Sequence, residues 1–101
     1  MKKTVIITGG TTGIGKATAI KFAKNDYNVV VTSRNSAKEM DLKSEFKQLN
    51  LEVHFEVLDV TNEAQVKAII EKTVAQFGKL DVIVNNSGIS MGNAILADTE
   101  S

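Results

Sequence analysis

Four glycines within seven residues follow an apolar run near the start of the chain, in the stretch TGGTTGIGKA that runs from Thr8 to Ala17. A glycine-rich turn between a strand and a helix exposes backbone N–H groups, and the helix N-terminus adds a partial positive charge. Such a turn binds phosphate groups. Two phosphate-binding patterns overlap in these letters, and they imply different ligands.

The first pattern is the P-loop of nucleotide triphosphate hydrolases, which Gly10, Gly15 and Lys16 match until its last position. That motif requires serine or threonine after the lysine, because the hydroxyl binds the Mg²⁺ that bridges the phosphates. This chain has Ala17 there. Asp59, after a later strand, is available as a second magnesium ligand, so a P-loop hydrolase stays an alternative.

The second pattern is the dinucleotide-binding turn. Gly9 permits the sharp turn, Gly13 lets the backbone approach a pyrophosphate, and Gly15 lets the helix pack closely against the sheet. No lysine or magnesium is required, so Gly10 and Lys16 are incidental on this interpretation. The predicted cofactor contacts at the turn are Thr8, Gly9, Thr11, Thr12, Gly13, Ile14 and Gly15.

The end of the second predicted strand reads Thr32-Ser33-Arg34. A dinucleotide-binding unit contacts the adenosine ribose about 20 residues beyond the glycines, and an acid there favours NAD. No acid is present in this chain. Arg34 can instead form a charge-assisted bond with a 2′-phosphate, and Ser33 or Asn35 can donate another. The sequence therefore favours NADP(H) over NAD(H), the alternative being that Arg34 is an ordinary surface residue in a turn.

Hydropathy places these turns between alternating strands and helices. Apolar runs predict strands over residues 4–8, 28–33 and 80–85, and a polar–apolar alternation over 52–58 predicts a strand at a sheet edge. Helices are predicted from residue 14 to about 24, after a Ser36-x-x-Glu39 capping box, and over 62–77. Their predicted apolar faces are Ile14, Ala17, Ile20 and Ala23 in the first helix, Leu42, Phe46 and Leu49 in the second, and Val66, Ile69, Ile70, Val74 and Phe77 in the third. In the first helix, Lys16, Lys21 and Lys24 are predicted to face outwards.

This alternation predicts an α/β fold with right-handed crossovers. We expect an open, parallel, doubly wound (Rossmann-like) sheet of about four strands in the order 3-2-1-4, truncated after the fourth. Residues 1–101 are accordingly predicted to be a single partial dinucleotide-binding domain.

Three short motifs, each at the end of a predicted strand, resemble those of the short-chain dehydrogenase/reductase family. They are Thr8, Gly9, Gly13 and Gly15 for T-G-x-x-x-G-x-G, Asp59-Val60 for D-V, and Asn85-Asn86-Ser87-Gly88 for N-N-A-G, with Ser87 in place of alanine. Together they span nearly the whole chain, and their order sets the P-loop interpretation aside. The resemblance implies the amino-terminal, cofactor-binding part of an enzyme that moves hydride between a nicotinamide cofactor and a carbonyl or alcohol.

The resemblance also implies roles for single residues. Asp59 would accept a hydrogen bond from the adenine amino group, and the Val60 backbone would complete adenine recognition. Asn85 would brace the neighbouring strand. The wall beside the cofactor ribose would be formed by Asn86, Ser87 and Gly88. An aspartate such as Asp59 is as often a turn or cap residue, so that interpretation stays open.

Family members use a tyrosine with a lysine four residues later, and a serine, for proton transfer. The sequence has one tyrosine, Tyr27, with Val31 four residues later, so we predict no catalytic residue in this chain. A small carbonyl or alcohol substrate is expected only in a full-length form. A non-catalytic dinucleotide-binding module or truncated product is the alternative, and the uncovered last strand predicts self-association through the sheet edge.

Composition limits the classes of binding partner and of metal site. Twelve basic and twelve acidic residues cancel, so no net field draws the chain to nucleic acid or to an anionic membrane. The absence of cysteine excludes disulfides and thiolate metal sites. No window approaches the roughly 18 apolar residues of a membrane span. We expect a cytoplasmic protein without a metal site.

Overall fold

The computed structural model describes residues 2–11 and 13–86. Over these residues strands and helices alternate: β1 (Thr4–Thr8), α1 (Gly13–Lys24), β2 (Asn28–Ser33), α2 (Glu39–Gln48), β3 (His54–Val57), α3 (Glu63–Phe77) and β4 (Val82–Asn85). The strands pair in parallel in the order β3-β2-β1-β4. The predicted fold class and strand order are therefore confirmed, including β3 as an edge strand.

The register brings the carboxyl ends of three strands together. Thr8, the last residue of β1, lies opposite Thr32 of β2 on one side and Asn85 of β4 on the other. The glycine-rich turn follows Thr8 directly, so it begins at the centre of this edge of the sheet. In open α/β sheets, ligands bind at this edge, where the chain leaves neighbouring strands in opposite directions.

Two apolar clusters hold the layers together. The larger joins β1 and β2 to α1 and α2, and its buried members are Val5, Ile7, Ala19, Val29, Val31, Leu42 and Phe46. The smaller contains Leu58, Val60 and Val66 with the partly buried Ile69, Ile70 and Ile83. Val82 and Val84 of β4 pack against the larger cluster and Ile83 against the smaller, as expected for side chains that alternate across a sheet.

The inward face of α1 differs from the prediction in its first turns, whereas Ile20 and Ala23 pack against the larger cluster as predicted. Ile14 is 78% exposed and Ala17 is also exposed, whereas Gly15 and Ala19 are buried. At the start of the helix, Gly15 leaves no room for a β-carbon beside the Gly9 carbonyl, so Gly15 faces inwards and Ile14 is turned outwards. Lys16, predicted to face solvent, is partly buried and its Nζ lies 2.9 Å from Oε1 of Glu45 on α2.

The predicted capping box before α2 is wrong. The helix begins at Glu39 itself, and its N-cap residue makes no side-chain bond. Upstream, Oδ1 of Asn35 accepts a hydrogen bond from the Ala37 backbone at 2.9 Å. The Glu39 N–H, which a Ser36 side-chain cap would need, instead donates to the Ser36 carbonyl at 3.1 Å. Leu49, predicted on the apolar face, follows the end of the helix and is exposed.

The termini of α3 agree with the prediction, and one face residue does not. Oδ1 of Asn62 accepts from the Gln65 backbone at 3.1 Å, and Gly78 ends the helix with a left-handed φ of 87°. Val74 is 41% exposed. Thr73 is buried in its place, because its hydroxyl donates 2.8 Å to a carbonyl one turn earlier and so needs no water.

Candidate functional site

The glycine-rich turn depends on missing side chains. Gly9 and Gly13 have left-handed φ angles of 65° and 58°, a region that other residues enter only with strain. At Gly15 a β-carbon would lie 2.5 Å from the Gly9 carbonyl oxygen and 2.5 Å from Nδ2 of Asn86. Gly10 is not incidental to the structure, since a β-carbon there would lie 3.0 Å from Cγ1 of Val31.

Hydrogen bonds brace the turn from both neighbouring strands. The Thr8 hydroxyl donates to Oδ1 of Asn85 at 3.0 Å and accepts from the Asn86 backbone N–H at 3.1 Å. Nδ2 of Asn86 donates to the Gly9 carbonyl at 3.2 Å, and the Gly9 N–H donates to the Thr32 carbonyl at 2.9 Å. The bracing that resemblance implied for Asn85 is therefore present, and Asn86 closes the turn from the β4 side.

Within the described residues, the start of α1 leaves room for an anion. Its first turn contains no acidic residue, and apart from the adjoining chain and the backbone of α1, no described atom lies within 4 Å of the position that a Gly13 β-carbon would occupy. The exposed Ile14 flanks this opening. Because Lys16 pairs with Glu45 on α2, it is not directed at the turn as a P-loop lysine would be. The free N–H groups and the helix dipole thus suit a pyrophosphate that needs no lysine.

An exposed cation follows β2. Arg34 is exposed and enters no ion pair within residues 2–11 and 13–86. Asn35 uses its Oδ1 to accept from Ala37, which leaves its amide nitrogen as a donor. The Ser33 carbonyl accepts from the Leu58 N–H at 2.8 Å, so the end of β2 is tied to the chain leaving β3.

The turn between β3 and α3 is organised around Asp59. Its Oδ1 accepts from the Thr61 hydroxyl at 2.6 Å and from the Thr61 N–H at 3.0 Å. Its N–H donates to Oε1 of Gln65 at 3.0 Å, and its carbonyl accepts from Asn62 at 2.9 Å. The Thr61 hydroxyl lowers the pKa of Asp59 most, the Thr61 N–H lowers it further, desolvation opposes them, and the positive charge of Arg34 adds a smaller lowering.

The structure thus brings most of the predicted site residues to one edge of the sheet. Val60 is buried beside Leu58, and Thr11 lies partly buried in the glycine turn. Thr12, Ser87 and Gly88 lie outside the described residues. Sequence reasoning missed Thr61 and Gln65, although an aspartate in a turn commonly bonds to the backbone two residues on, here that of Thr61.

Two features are absent from the described part of the chain. Among residues 2–11 and 13–86, no helix is both long and apolar enough to cross a bilayer. In that part of the chain, no three His, Cys, Asp or Glu side chains are grouped to hold a metal ion.

Comparison with known proteins gives consistent matches. The family model for short chain dehydrogenases matches residues 3–101. The chain is 35% identical over 97 residues to 3-oxoacyl-acyl-carrier-protein reductase FabG of Staphylococcus aureus, covering 95% of this chain and 39% of that protein. The solved structure of ElxO with NADP bound is 51% identical, with a TM-score of 0.75 over 92% of this chain and 38% of ElxO. A 2-keto-3-deoxy-D-gluconate dehydrogenase from Streptococcus agalactiae is 32% identical, with a TM-score of 0.79 over 87% of this chain and 33% of that one.

Proposed function

This chain belongs to the short-chain dehydrogenase family, and on that basis we propose that it is the NADP(H)-binding portion of an oxidoreductase. The parent reaction would transfer hydride between the nicotinamide ring and a small carbonyl or alcohol substrate. The chain spans 39% of the length of its FabG relative, so the activity of a whole protein is part of the proposal. A cytoplasmic location and the absence of nucleic-acid and membrane partners are part of it too.

The observation that carries the proposal is the open, acid-free start of α1 behind a turn with two left-handed glycines. The cofactor pyrophosphate would lie against Gly13 and the N–H groups that follow it, with Ile14 flanking the diphosphate on its nicotinamide side. Thr11 and Thr12 would add hydroxyl contacts. Asn86 supports this arrangement indirectly, because its bond to the Gly9 carbonyl keeps the turn closed.

The preference for NADP(H) over NAD(H) follows from the end of β2. Arg34 would pair with the 2′-phosphate of the adenosine ribose, while Ser33 and the Asn35 amide would donate to the same group. The exposure of Arg34 and its lack of an ion pair in the described part of the chain support this role. ElxO, solved with NADP and as a variant with NADPH, is the comparison that supports it most directly.

The adenine base would lie beside the β3–α3 turn. Asp59 would accept from its exocyclic amino group, and the backbone of Val60 would complete the contact. Asn86, Ser87 and Gly88 would line the other side, next to the ribose. With its pKa below the ordinary value of 3.8, the Asp59 carboxylate is ionised, and therefore an acceptor, at neutral pH.

The bound nicotinamide would supply the hydride. These 101 residues would bind and orient the cofactor and exclude water from its diphosphate. We place the proton-transfer step elsewhere, because Tyr27 is the only tyrosine in the sequence and Val31 stands where the resemblance requires a lysine. A non-catalytic dinucleotide-binding module remains the second candidate, and the lack of a lysine four residues after Tyr27 favours it.

One titration series tests these functions. Purified chain is titrated with NADPH, NADH and ATP with Mg²⁺, and binding is followed by calorimetry. We then follow carbonyl-dependent loss of NADPH absorbance. NADPH binding without oxidation supports a cofactor-binding portion, and oxidation would place proton transfer within the chain. Magnesium-dependent ATP binding without dinucleotide binding would overturn the proposal.

The cofactor preference has its own test. Arg34→Ala should weaken NADPH binding by about tenfold, as expected for a bond between two charged groups, and leave NADH nearly unchanged. Lys47→Ala is the matched control, because it removes an exposed cation on α2 that belongs to no proposed contact. If Arg34→Ala weakened the binding of NADPH and NADH equally, Arg34 would not be a contact of the 2′-phosphate.

Self-association is also proposed, from the edge strand β4. Val82, Ile83 and Val84 are only partly buried, and within the described residues β4 pairs with β1 alone. An apolar strand with a free edge favours pairing with another chain. Sedimentation across a concentration series should show a monomer–dimer equilibrium. A single monomeric species that unfolds cooperatively would contradict it.

A further inference from the structure

The two oxygens of the Asp59 carboxylate have different surroundings. Oδ1 accepts two hydrogen bonds from Thr61, one from the hydroxyl at 2.6 Å and one from the backbone N–H at 3.0 Å. Oδ2 accepts none from the residues that the structure describes. A hydroxyl-to-carboxylate distance of 2.6 Å is in the range of short, charge-assisted bonds.

The backbone under this carboxylate is fixed independently. The Asp59 N–H is held by Oε1 of Gln65 from the first turn of α3, and the Asp59 carbonyl is held by the Asn62 N–H. Asn62 is in turn the N-cap of that helix. With the backbone held from α3, the remaining freedom of Asp59 is rotation of its side chain, and the Thr61 hydroxyl opposes that rotation.

We propose that Thr61 is a positioning residue that holds Oδ1 of Asp59 so that Oδ2 faces the adenine amino group as a single, oriented acceptor. The inference rests on the proposed function, since it requires the dinucleotide to bind with its adenine beside Asp59. It makes Thr61 a determinant of base specificity. Adenine presents a donor at this position, whereas hypoxanthine presents a carbonyl oxygen, which an oriented carboxylate repels.

A merely structural role for Thr61 would have a different signature. If the hydroxyl only stabilised the turn, its loss would weaken every dinucleotide equally. If it orients Oδ2, its loss weakens the adenine cofactor and leaves the hypoxanthine analogue almost unaffected. The ratio of the two affinities therefore separates the two roles, independently of any change in stability.

The test uses the whole chain and two probes, NADPH and nicotinamide hypoxanthine dinucleotide phosphate in its reduced form. Thr61→Val removes the hydroxyl and keeps the side-chain shape and the backbone N–H, and Thr61→Ser keeps the hydroxyl. We expect Thr61→Val to reduce the preference for NADPH by about fivefold, and Thr61→Ser to retain it. Thr18→Val, on α1 and outside the site, should leave both affinities unchanged.

A second readout needs no ligand. Because the Thr61 hydroxyl is the largest influence that lowers the Asp59 pKa, Thr61→Val should raise that pKa in a carboxyl NMR titration, and Thr61→Ser should not. An unchanged affinity ratio in Thr61→Val, or its loss in Thr61→Ser as well, would overturn the positioning role alone. A wild-type chain that binds neither probe would overturn the proposed function, and the inference with it.

Discussion

The two turns that flank the proposed cofactor are built in opposite ways. The turn between β1 and α1 owes its shape to absent side chains, with two left-handed glycines and a third, Gly15, where a β-carbon would clash with the Gly9 carbonyl and Asn86. The turn between β3 and α3 owes its shape to side chains that bond to its own backbone, chiefly those of Asp59 and Asn62.

This difference determines how each turn responds to change. A β-carbon added at Gly15 must displace backbone atoms. Because the protein interior is close-packed, such a displacement lowers the free energy of unfolding. A side-chain bond lost from the second turn is exposed, so water replaces much of it and the net cost is about 1 kcal/mol. A single substitution in the first turn should therefore cost several kcal/mol of unfolding free energy at some positions. A single substitution in the second turn should cost about 1 kcal/mol.

Gly15→Ala should have the largest effect. Its β-carbon would lie 2.5 Å from a backbone oxygen, so α1 must move away from the sheet, at a cost of about 3 kcal/mol. Urea unfolding measures the change. Gly10→Ala is the matched comparison, because its β-carbon would meet only side-chain atoms, of Val31 and Ile7, at 3.0 Å and 3.1 Å. Those side chains can shift, so a loss at Gly10 as large as at Gly15 would contradict the steric account.

Gly13→Ala comes next and separates backbone strain from ligand contact. Gly13 and Gly78 both have left-handed φ angles and both have open space where a β-carbon would lie. Each alanine should cost about 1 kcal/mol of unfolding free energy. Only Gly13→Ala should also weaken NADPH binding, measured by calorimetry. If Gly78→Ala weakened binding as much, the open face of the glycine turn would lose its proposed role.

Asn62→Ala should cost about 1 kcal/mol, because it removes the side-chain acceptor for the Gln65 N–H at the start of α3. Asn62→Ser keeps a capping oxygen and should stay within a few tenths of a kcal/mol of the wild type. Thermal unfolding of the three proteins measures the series. Equal losses in both variants would show that the cap does not stabilise the second turn.

The smallest effect concerns pH. The pKa of Asp59 is lowered in the folded chain, so its hydrogen bonds stabilise the fold above its ordinary value of 3.8 and are lost as pH falls through the lower, folded value. Asp59→Asn should flatten this part of the acid unfolding profile slightly. An unaltered profile, together with an unshifted Asp59 carboxyl titration, would contradict the proposed electrostatics.

Strand positions were predictable from the sequence, and helix faces were less so. β1 and β2 are apolar because both faces are covered, and their predicted bounds match those observed. The first turns of α1 were misassigned because hydrophobicity alone favours burying Ile14, whereas the close approach at Gly15 makes Gly15 face the sheet instead. Thr73 replaces Val74 in the core of α3 because its hydroxyl is satisfied by its own helix.

The site was predictable by residue type but not by contact. The motif residues that the structure describes lie at one edge because parallel strands end there. The pairing of Thr61 with Asp59 and of Lys16 with Glu45 depends on side-chain conformation, which no periodicity encodes. The packing need for Gly10 was missed for a related reason, since it arises from Val31 on the neighbouring strand.

The bonds of the Thr8 hydroxyl have a consequence for folding order. They join β1 to residues 77 and 78 positions later, and such distant contacts form slowly because a long loop must first close. The first three strands can assemble before β4 arrives, but the glycine turn is braced from both sides only once Asn86 reaches it. A dinucleotide that binds the braced turn would favour molecules in which β4 has docked, and would thereby stabilise the last step of assembly by mass action.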